Sequence, residues 1–160
     1  MLLGLPSPTF HILLADDDVD DIMIFKEVLN ELNLPVRLTT IDNGEKLMQL
    51  LQEDEALPDV LFLDLNMPRK TGMECLKEIK SAEALKRLPV VIFSTSFKKE
   101  TVDTLYESGA QFYIRKPSEF LRFRTLIHKS LVLTTELNFM QPEKEAFVLL
   151  SEELNKDEIN

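Results

Sequence analysis

Short apolar runs, each long enough for one strand, alternate along the chain with longer segments in which apolar residues recur every three or four positions. Runs of the first kind are typical of strands buried on both faces, and the second spacing is typical of amphipathic helices. Five strands alternating with five helices predict an α/β fold, in which helices cover both faces of a parallel sheet. The strands are expected at residues 10–15, 35–41, 59–64, 89–94 and 111–115.

The second predicted strand, PVRLTTI, is more polar than the other four. A strand with a polar sequence suits the edge of a sheet better than its centre, and we expect this one at an edge. Turn signals at Asn43-Gly44 and Ser108-Gly109 separate helical from extended segments, which supports the predicted boundaries.

The chain has 160 residues, enough for one domain with its own core and a small appendage. Its formal net charge is −10 and no basic patch is evident, which argues against binding to nucleic acid or to anionic membranes. No run approaches the roughly 20 apolar residues of a membrane span, so we expect no membrane insertion.

The first ten residues lack the basic start and the long apolar stretch of a signal peptide. The single cysteine, Cys75, can form no disulfide within the chain, and we interpret it as a small buried residue of a helix. The single cysteine suits a reducing compartment, and without a signal peptide or a membrane span we expect the protein in the cytoplasm.

Polar side chains of complementary chemistry follow four of the predicted strands. In open α/β sheets, ligands bind beyond the carboxyl ends of the strands, where the strand order reverses. The sequence therefore predicts that an acidic cluster, a hydroxyl and an ammonium meet at one edge of the sheet. The residues are Asp16, Asp17 and Asp18 after the first strand, Asp64 at the end of the third, Ser94 at the end of the fourth and Lys116 after the fifth.

Clustered carboxylates need a cation. Two of them about 4 Å apart repel by roughly 4 kcal/mol at an effective dielectric constant near 20. Ligands that are all oxygen favour Mg²⁺, which binds one or two carboxylates and shares phosphate oxygens. A carboxylate beside such an ion can act as a nucleophile toward a phosphoryl group and form an aspartyl phosphate.

Four motifs together resemble the receiver domain of bacterial two-component response regulators: LLADDD, DVLFLDLNMPRKTG, PVVIFSTS and YIRKP. The resemblance covers residues 8–134 and is greatest to single-domain, chemotaxis-regulator-like members that partner phytochromes. It implies a doubly wound, flavodoxin-like sheet of strand order 2-1-3-4-5 and an acceptor aspartate in the D-x-x-M-P-x-x-x-G motif. That aspartate is Asp64.

The resemblance also implies roles for the residues around Asp64. Asp16 and Asp17 would hold Mg²⁺ together with Asp64 and the backbone carbonyl of Asn66. The third acid, Asp18, adjoins this pair, and we expect it to alter the affinity for the metal. Asp20 and Asp21 are interpreted only as acids favoured by a helix N-terminus.

The same resemblance implies a switch. Ser94 would bind a phosphoryl oxygen, Lys116 would pair with the phosphoryl group, and Tyr113 would turn inward in the active state; packing of an ordinary aromatic is the alternative interpretation of Tyr113. The resemblance further allows a cis bond between Lys116 and Pro117, since proline lowers the cost of that isomer to about 1 kcal/mol or less.

The predicted function is that of a stand-alone response regulator, not a turnover enzyme. A sensor histidine kinase or a histidine phosphotransfer protein would phosphorylate Asp64, and the output would be protein–protein contact, with homodimerisation as one form. A Mg²⁺-dependent phosphohydrolase is the first alternative, but such enzymes need a second acid where this chain has Asn66. An adaptor that works without phosphorylation is the second.

Residues 135–160 form a predicted C-terminal extension rich in acids. Its apolar residues, among them Phe139, Met140 and Phe147, are too many for a purely disordered tail. We expect this extension to dock on the receiver domain or on a second subunit, and a tail ordered only by a partner is the alternative.

Overall fold

The computed structural model describes residues 9–53, 56–138 and 140–150. Its strands are β1 (Phe10–Ala15), β2 (Val36–Ile41), β3 (Val60–Leu63), β4 (Val90–Ser94) and β5 (Phe112–Arg115). They pair in parallel in the order β2-β1-β3-β4-β5, which confirms both the predicted fold class and the edge position of the second strand.

Helices cover both faces of this sheet, as the alternation predicts. One face packs against α2, α3 and α4, and the other packs against α1 and α5. The apolar spacing in each helix buries one stripe against the sheet and leaves the opposite side in water. The helices are α1 (Val19–Leu32), α2 (Gly44–Glu53), α3 (Gly72–Ser81), α4 (Lys99–Glu107) and α5 (Phe120–Leu137), and a 3₁₀ turn spans Lys144–Ala146.

The central strands are buried on both faces. Every residue of β3 and of β4 is buried. Beneath α1 and α5, Phe25 packs edge to face against Phe62, with ring centroids 5.0 Å apart, and Phe93 packs in the same way against Phe123 at 5.2 Å. Such pairs add about 0.5–1.5 kcal/mol each beyond the area they bury. Aromatic contacts thus join β3 and β4, which end at the polar cluster, to α1 and α5.

The strand order reverses between β1 and β3, because the chain runs outward from β1 to β2 and then returns to the other side of β1. A crevice forms at the carboxyl ends of the strands at such a switch point. Asp16 and Asp64 follow β1 and β3 directly and so border this crevice.

The chain returns to β5 after α5. Val148 forms a parallel bridge to Tyr113, and Phe147 and Leu149 on either side of it are buried. The apolar residue Phe139 and residues 151–160 lie outside the described part of the chain. The division into residues 8–134 and 135–160 stays a prediction. None of the helices in the described ranges combines the length and apolar character needed to cross a membrane.

The bond between Lys116 and Pro117 is trans, since the described residues contain no cis peptide bond. The cis isomer that the resemblance allows is therefore wrong for this structure. The trans form of a bond to proline is favoured by about 0.5–1 kcal/mol unless surrounding contacts select the other isomer.

Candidate functional site

Three carboxylates meet at the ends of β1 and β3. Asp16, Asp17 and Asp64 each offer an oxygen within 4.8 Å of the others. The sheet hydrogen bonds continue one residue past the strands, because Asp16 N–H donates to Ile41 at 3.0 Å and Asp64 N–H donates to Ala15 at 2.9 Å. Asp16 and Asp64 are buried while Asp17 is exposed, so the cluster opens to water on the side of Asp17.

The loop after Asp64 folds back tightly over the strand end. Gly72 N–H donates to the carbonyl of Leu65 at 2.9 Å, and a Cβ at position 72 would lie only 2.2 Å from the carbonyl oxygen of Asp64. Thr71 and Glu74 then start α3 with a reciprocal capping box. The glycine of the D-x-x-M-P-x-x-x-G motif is thus required by close backbone contact beside Asp64.

The ammonium of Lys116 lies among the acids. Its Nζ is 2.8 Å from Asp16, 2.8 Å from Asp21 and 3.7 Å from Asp64, and its side chain is 6% exposed. Lys116 N–H donates to the carbonyl of Ser94 at 2.8 Å, which ties the residue to the end of β4. The structure therefore brings the predicted ammonium to the predicted carboxylates, although Lys116 lies 52 positions after Asp64 in the sequence and still further from Asp16.

Burial shifts the proton affinities of this cluster. Burial raises the pKa of Asp64 to about 6 against the lowering effect of Lys116, and the charges of Asp16 and Asp17 raise it further. Burial also raises the pKa of Asp16. Burial alone would lower the pKa of Lys116, but its bonds to Asp16 and Asp21 outweigh that effect and raise it. The carboxylates are costly to ionise here without additional positive charge.

The buried donor set fits a hard cation. Asp16 Oδ2 forms an ion pair with Lys116 at 2.8 Å, but the angles of this contact are poor for a hydrogen bond, and no other described residue donates to this oxygen. Asp64 Oδ1 accepts one long bond of 3.4 Å from Asn66 N–H. Carboxylate oxygens with unused acceptor capacity are the ligands preferred by Mg²⁺ and similar ions. The role of the Asn66 carbonyl as a ligand stays a prediction.

The hydroxyl groups of three residues connect the end of β4 with β5. Ser94 is buried, and its Oγ lies 3.2 Å from the Oγ of Ser96 and accepts from Ser96 N–H at 3.3 Å. Tyr113 OH donates to the carbonyl of Ser96, and its fully buried ring packs edge to face against Phe97 at 5.7 Å. Burial raises the pKa of the Tyr113 hydroxyl. Ser94 and Tyr113 are thus linked through Ser96.

Sequence reasoning missed one member of the cluster. The sequence pattern predicts for Asp21 only the role of an acid at a helix N-terminus, whereas its carboxylate forms an ion pair with Lys116. Its place in the first turn of the helix after β1 puts Asp21 near the strand ends, but that position alone does not indicate contact with a lysine. Asp18 is not one of the three carboxylates that lie within 4.8 Å of one another: its side chain caps α1 by accepting from Asp20 and Asp21 N–H.

Known proteins match most of this chain. The family described as "Response regulator receiver domain" matches residues 12–128. Response regulator Rcp1 of Synechocystis sp. is 36% identical over 115 residues, which cover 69% of this chain and 78% of Rcp1. Two-component response regulator ORR3 of Oryza sativa is 30% identical over 112 residues, which cover 70% of this chain and 83% of ORR3.

Solved structures match the same region. The phosphorylated cyanobacterial phytochrome response regulator RcpA is 30% identical, with a TM-score of 0.69 over 82% of this chain and 94% of RcpA. The Mn²⁺-bound form of Rcp1 is 28% identical, with a TM-score of 0.65 over 90% of this chain and 99% of Rcp1.

Proposed function

Because this chain belongs to the response regulator receiver domain family, we propose that Asp64 accepts a phosphoryl group from a histidine kinase or a histidine phosphotransfer protein. The observation that carries the proposal is the site's composition: a buried carboxylate with two further acids within 4.8 Å and the Lys116 ammonium at 3.7 Å. The similarity to RcpA makes a kinase of the phytochrome class the first donor to test.

In the proposed reaction, an oxygen of Asp64 forms a bond to phosphorus while the bond from phosphorus to the donor's imidazole nitrogen breaks. The electron pair of the broken bond stays on the imidazole, which takes up a proton. Lys116 offsets part of the charge on the phosphoryl oxygens, since its buried ammonium already lies near Asp64. Ionised Asp64 is the nucleophile, and its raised pKa makes this step pH-dependent.

A divalent cation completes the proposal. Mg²⁺ would be held by Asp16, Asp17, Asp64 and the backbone carbonyl of Asn66, and when bound it would supply positive charge beside the phosphoryl oxygens. Support comes from the unused acceptor capacity of Asp16 and from the Mn²⁺ bound to the related Rcp1.

Phosphorylation would become a signal through Ser94, Ser96 and Tyr113. New phosphoryl oxygens would draw the Ser94 hydroxyl away from Ser96, whose carbonyl accepts from Tyr113. Complete switching from 1:99 to 99:1 needs about 5.5 kcal/mol of differential interaction, which two or three charge-assisted hydrogen bonds can supply. The signal would reach other proteins, or a second copy of this chain, through the surface near β5.

Receiver domains are in general signalling proteins and not turnover enzymes. The phosphohydrolase alternative requires a second acid two residues after the nucleophile, and this chain has the exposed Asn66 there. The adaptor alternative gives no reason to keep Asp16, Asp64 and Lys116 together in a buried group.

Incubation with acetyl phosphate and Mg²⁺, followed by intact mass and a free-phosphate assay, separates the three functions. A response regulator gains one phosphoryl group, and an adaptor gains none. A phosphohydrolase releases phosphate steadily from small phosphoesters.

The proposed switch is tested separately. Ser94→Ala and Tyr113→Ala should abolish phosphorylation-dependent partner binding, and unchanged binding in these variants would refute the switch.

A further inference from the structure

Residues 140–150, here called the C-terminal segment, lie along β5 at the sheet edge opposite β2. Tyr113 N–H donates to the carbonyl of Phe147 at 3.0 Å, and Leu149 N–H donates to the carbonyl of Tyr113 at 3.0 Å. An open sheet edge is a surface to which an extended peptide can add as a further strand. The chain's own C-terminal segment occupies this surface at Tyr113.

Apolar side chains anchor the segment on both sides of the bridge. Phe147 is 1% exposed, and its ring packs edge to face against Tyr106 of α4, with centroids 5.1 Å apart. Leu149 is 5% exposed and joins the core beneath α1 and α5. The segment therefore contributes one side chain to the hydrophobic core on each face of the sheet. A peptide held only by surface contacts would contribute to neither core.

Hydrogen bonds hold the start of the segment. Gln141 Nε2 donates to the carbonyls of Ala110 at 2.6 Å and Tyr106 at 2.8 Å. In return, Tyr106 OH donates to the carbonyl of Pro142 at 2.8 Å, and Gln111 donates to that of Met140 at 2.8 Å. These bonds fix the position of the segment along α4 and β5.

Tyr113 connects this segment to the phosphorylation site. Its backbone holds the segment, and its hydroxyl donates to Ser96, whose own hydroxyl contacts Ser94. Because the ring of Tyr113 has no exposed surface, it can turn toward solvent only if the residues that cover it move. Phe147 and Val148 pack in the same core cluster as the Tyr113 ring, so burial of the ring and docking of the segment favour each other.

We propose that the β5 edge is an interaction surface whose occupant is the chain's own C-terminal segment, and that phosphorylation of Asp64 tightens this docking through Tyr113. The inference rests on the proposed function, because it needs a phosphoryl group that acts on Ser94. Linkage makes the coupling reciprocal: the docked segment must strengthen binding at the phosphorylation site by the same factor. Phosphorylation would then prevent other peptides from pairing with β5. Partner proteins would contact the docked segment in place of the β5 edge.

The test uses the full chain and beryllofluoride, an analogue of the phosphoryl group, with Mg²⁺. Amide hydrogen exchange is measured by NMR at Leu149 and Tyr113, whose N–H groups form the two bonds of the bridge. If docking tightens, exchange at these two amides should be at least about 5-fold slower in the protein saturated with beryllofluoride than in the free protein. A factor of about 5 is the lower end of common allosteric coupling. Unchanged or faster exchange at saturation overturns the inference.

Variants test the reciprocal half. Phe147→Ala removes the buried anchor of the segment. Gln141→Ala removes only two side-chain hydrogen bonds, so it can still test the inference if Phe147→Ala fails to fold. Both should weaken beryllofluoride binding, by at most the factor by which docking tightens, and Phe147→Ala should weaken it more. Met140→Ala is the matched control, because the Met140 side chain is 70% exposed. Equal affinity in all four proteins would overturn the inference.

Two other outcomes are distinguishable. If beryllofluoride does not bind and acetyl phosphate adds no phosphoryl group, the proposed function fails, and this inference fails with it. If the analogue binds but protection of Leu149 rises with protein concentration, the occupant is the segment of a second copy. That result overturns docking within one chain and leaves the proposed function intact.

Discussion

Lys116 lies nearer to Asp21, at 2.8 Å, than to Asp64, at 3.7 Å. The ammonium is therefore shared between the first turn of α1 and the proposed phosphoryl acceptor. Lys116 and Asp64 are buried and the Asp21 side chain is only 20% exposed, so solvent screens these interactions weakly. Asp21 thus competes with Asp64 for the positive charge that the reaction needs.

Replacing Asp21 by Asn should lower the pKa of Asp64. The change frees Lys116 to approach Asp64, and because the lysine lowers the pKa of Asp64, a closer approach stabilises the Asp64 carboxylate further. The measurement is a titration of the Asp64 carboxyl carbon by NMR without divalent metal. Asp20→Asn is the control, since Asp20 is exposed on the same turn. An equal shift in both variants, or none in Asp21→Asn, would contradict this assignment.

Stability should depend on pH through Asp64. Its pKa is about 6 in the folded protein against an ordinary aspartate value of 3.8, so between about pH 4 and 6 the folded state retains a proton that the unfolded state has lost. The contribution to the free energy of unfolding is therefore present below about pH 4 and is lost as pH rises through 6. The loss is of order 2–3 kcal/mol.

Asp64→Asn measures this effect, because the amide does not ionise. The free energy of unfolding is measured by chemical denaturation in EDTA. It should be larger for the variant than for the natural protein at pH 7.5, and this gap should close toward pH 4. Mg²⁺ should narrow the gap at pH 7.5, because it stabilises the ionised carboxylate only in the natural protein. A gap that is the same at both pH values would refute the raised pKa.

Gly72→Ala should disrupt the loop beside the site. The new Cβ would lie 2.2 Å from the Asp64 carbonyl, so backbone must move, and we expect a loss of roughly 2 kcal/mol or more together with slower phosphorylation. Thr71→Ala, which removes the cap of α3, should cost about 1 kcal/mol with little change in phosphorylation rate. Similar rates in the two variants would show that the close contact does not shape the site.

The sequence predicted the fold and the acidic cluster because both follow from local patterns. Buried strands read as continuous apolar runs, and a parallel sheet brings their carboxyl ends to one edge, which is why Asp16, Asp64 and Lys116 could be grouped in advance. The same patterns contain no information on how far a side chain extends across that edge. Asp21 was missed for this reason, since an acid in a first helical turn has the same sequence signature whether or not it binds a lysine.

The docking of the C-terminal segment was predicted only in outline. Apolar content indicated that the segment packs against something, but a bridge of one residue, Val148 with Tyr113, leaves no alternating pattern to detect. The isomer of the bond before Pro117 could not be derived either. The intrinsic preference is about 1 kcal/mol or less, so tertiary contacts decide it.

The central claim is that Asp64 itself carries the phosphoryl group, and the most direct test locates that group. The protein is treated with acetyl phosphate and Mg²⁺ and then with borohydride, which reduces an aspartyl phosphate to homoserine, and peptides are mapped by mass spectrometry. We predict homoserine at position 64 in the natural protein and in the exposed-site control Asp42→Asn, and none in Asp64→Asn. Homoserine at another aspartate, or phosphoryl uptake that persists in Asp64→Asn, would contradict the account.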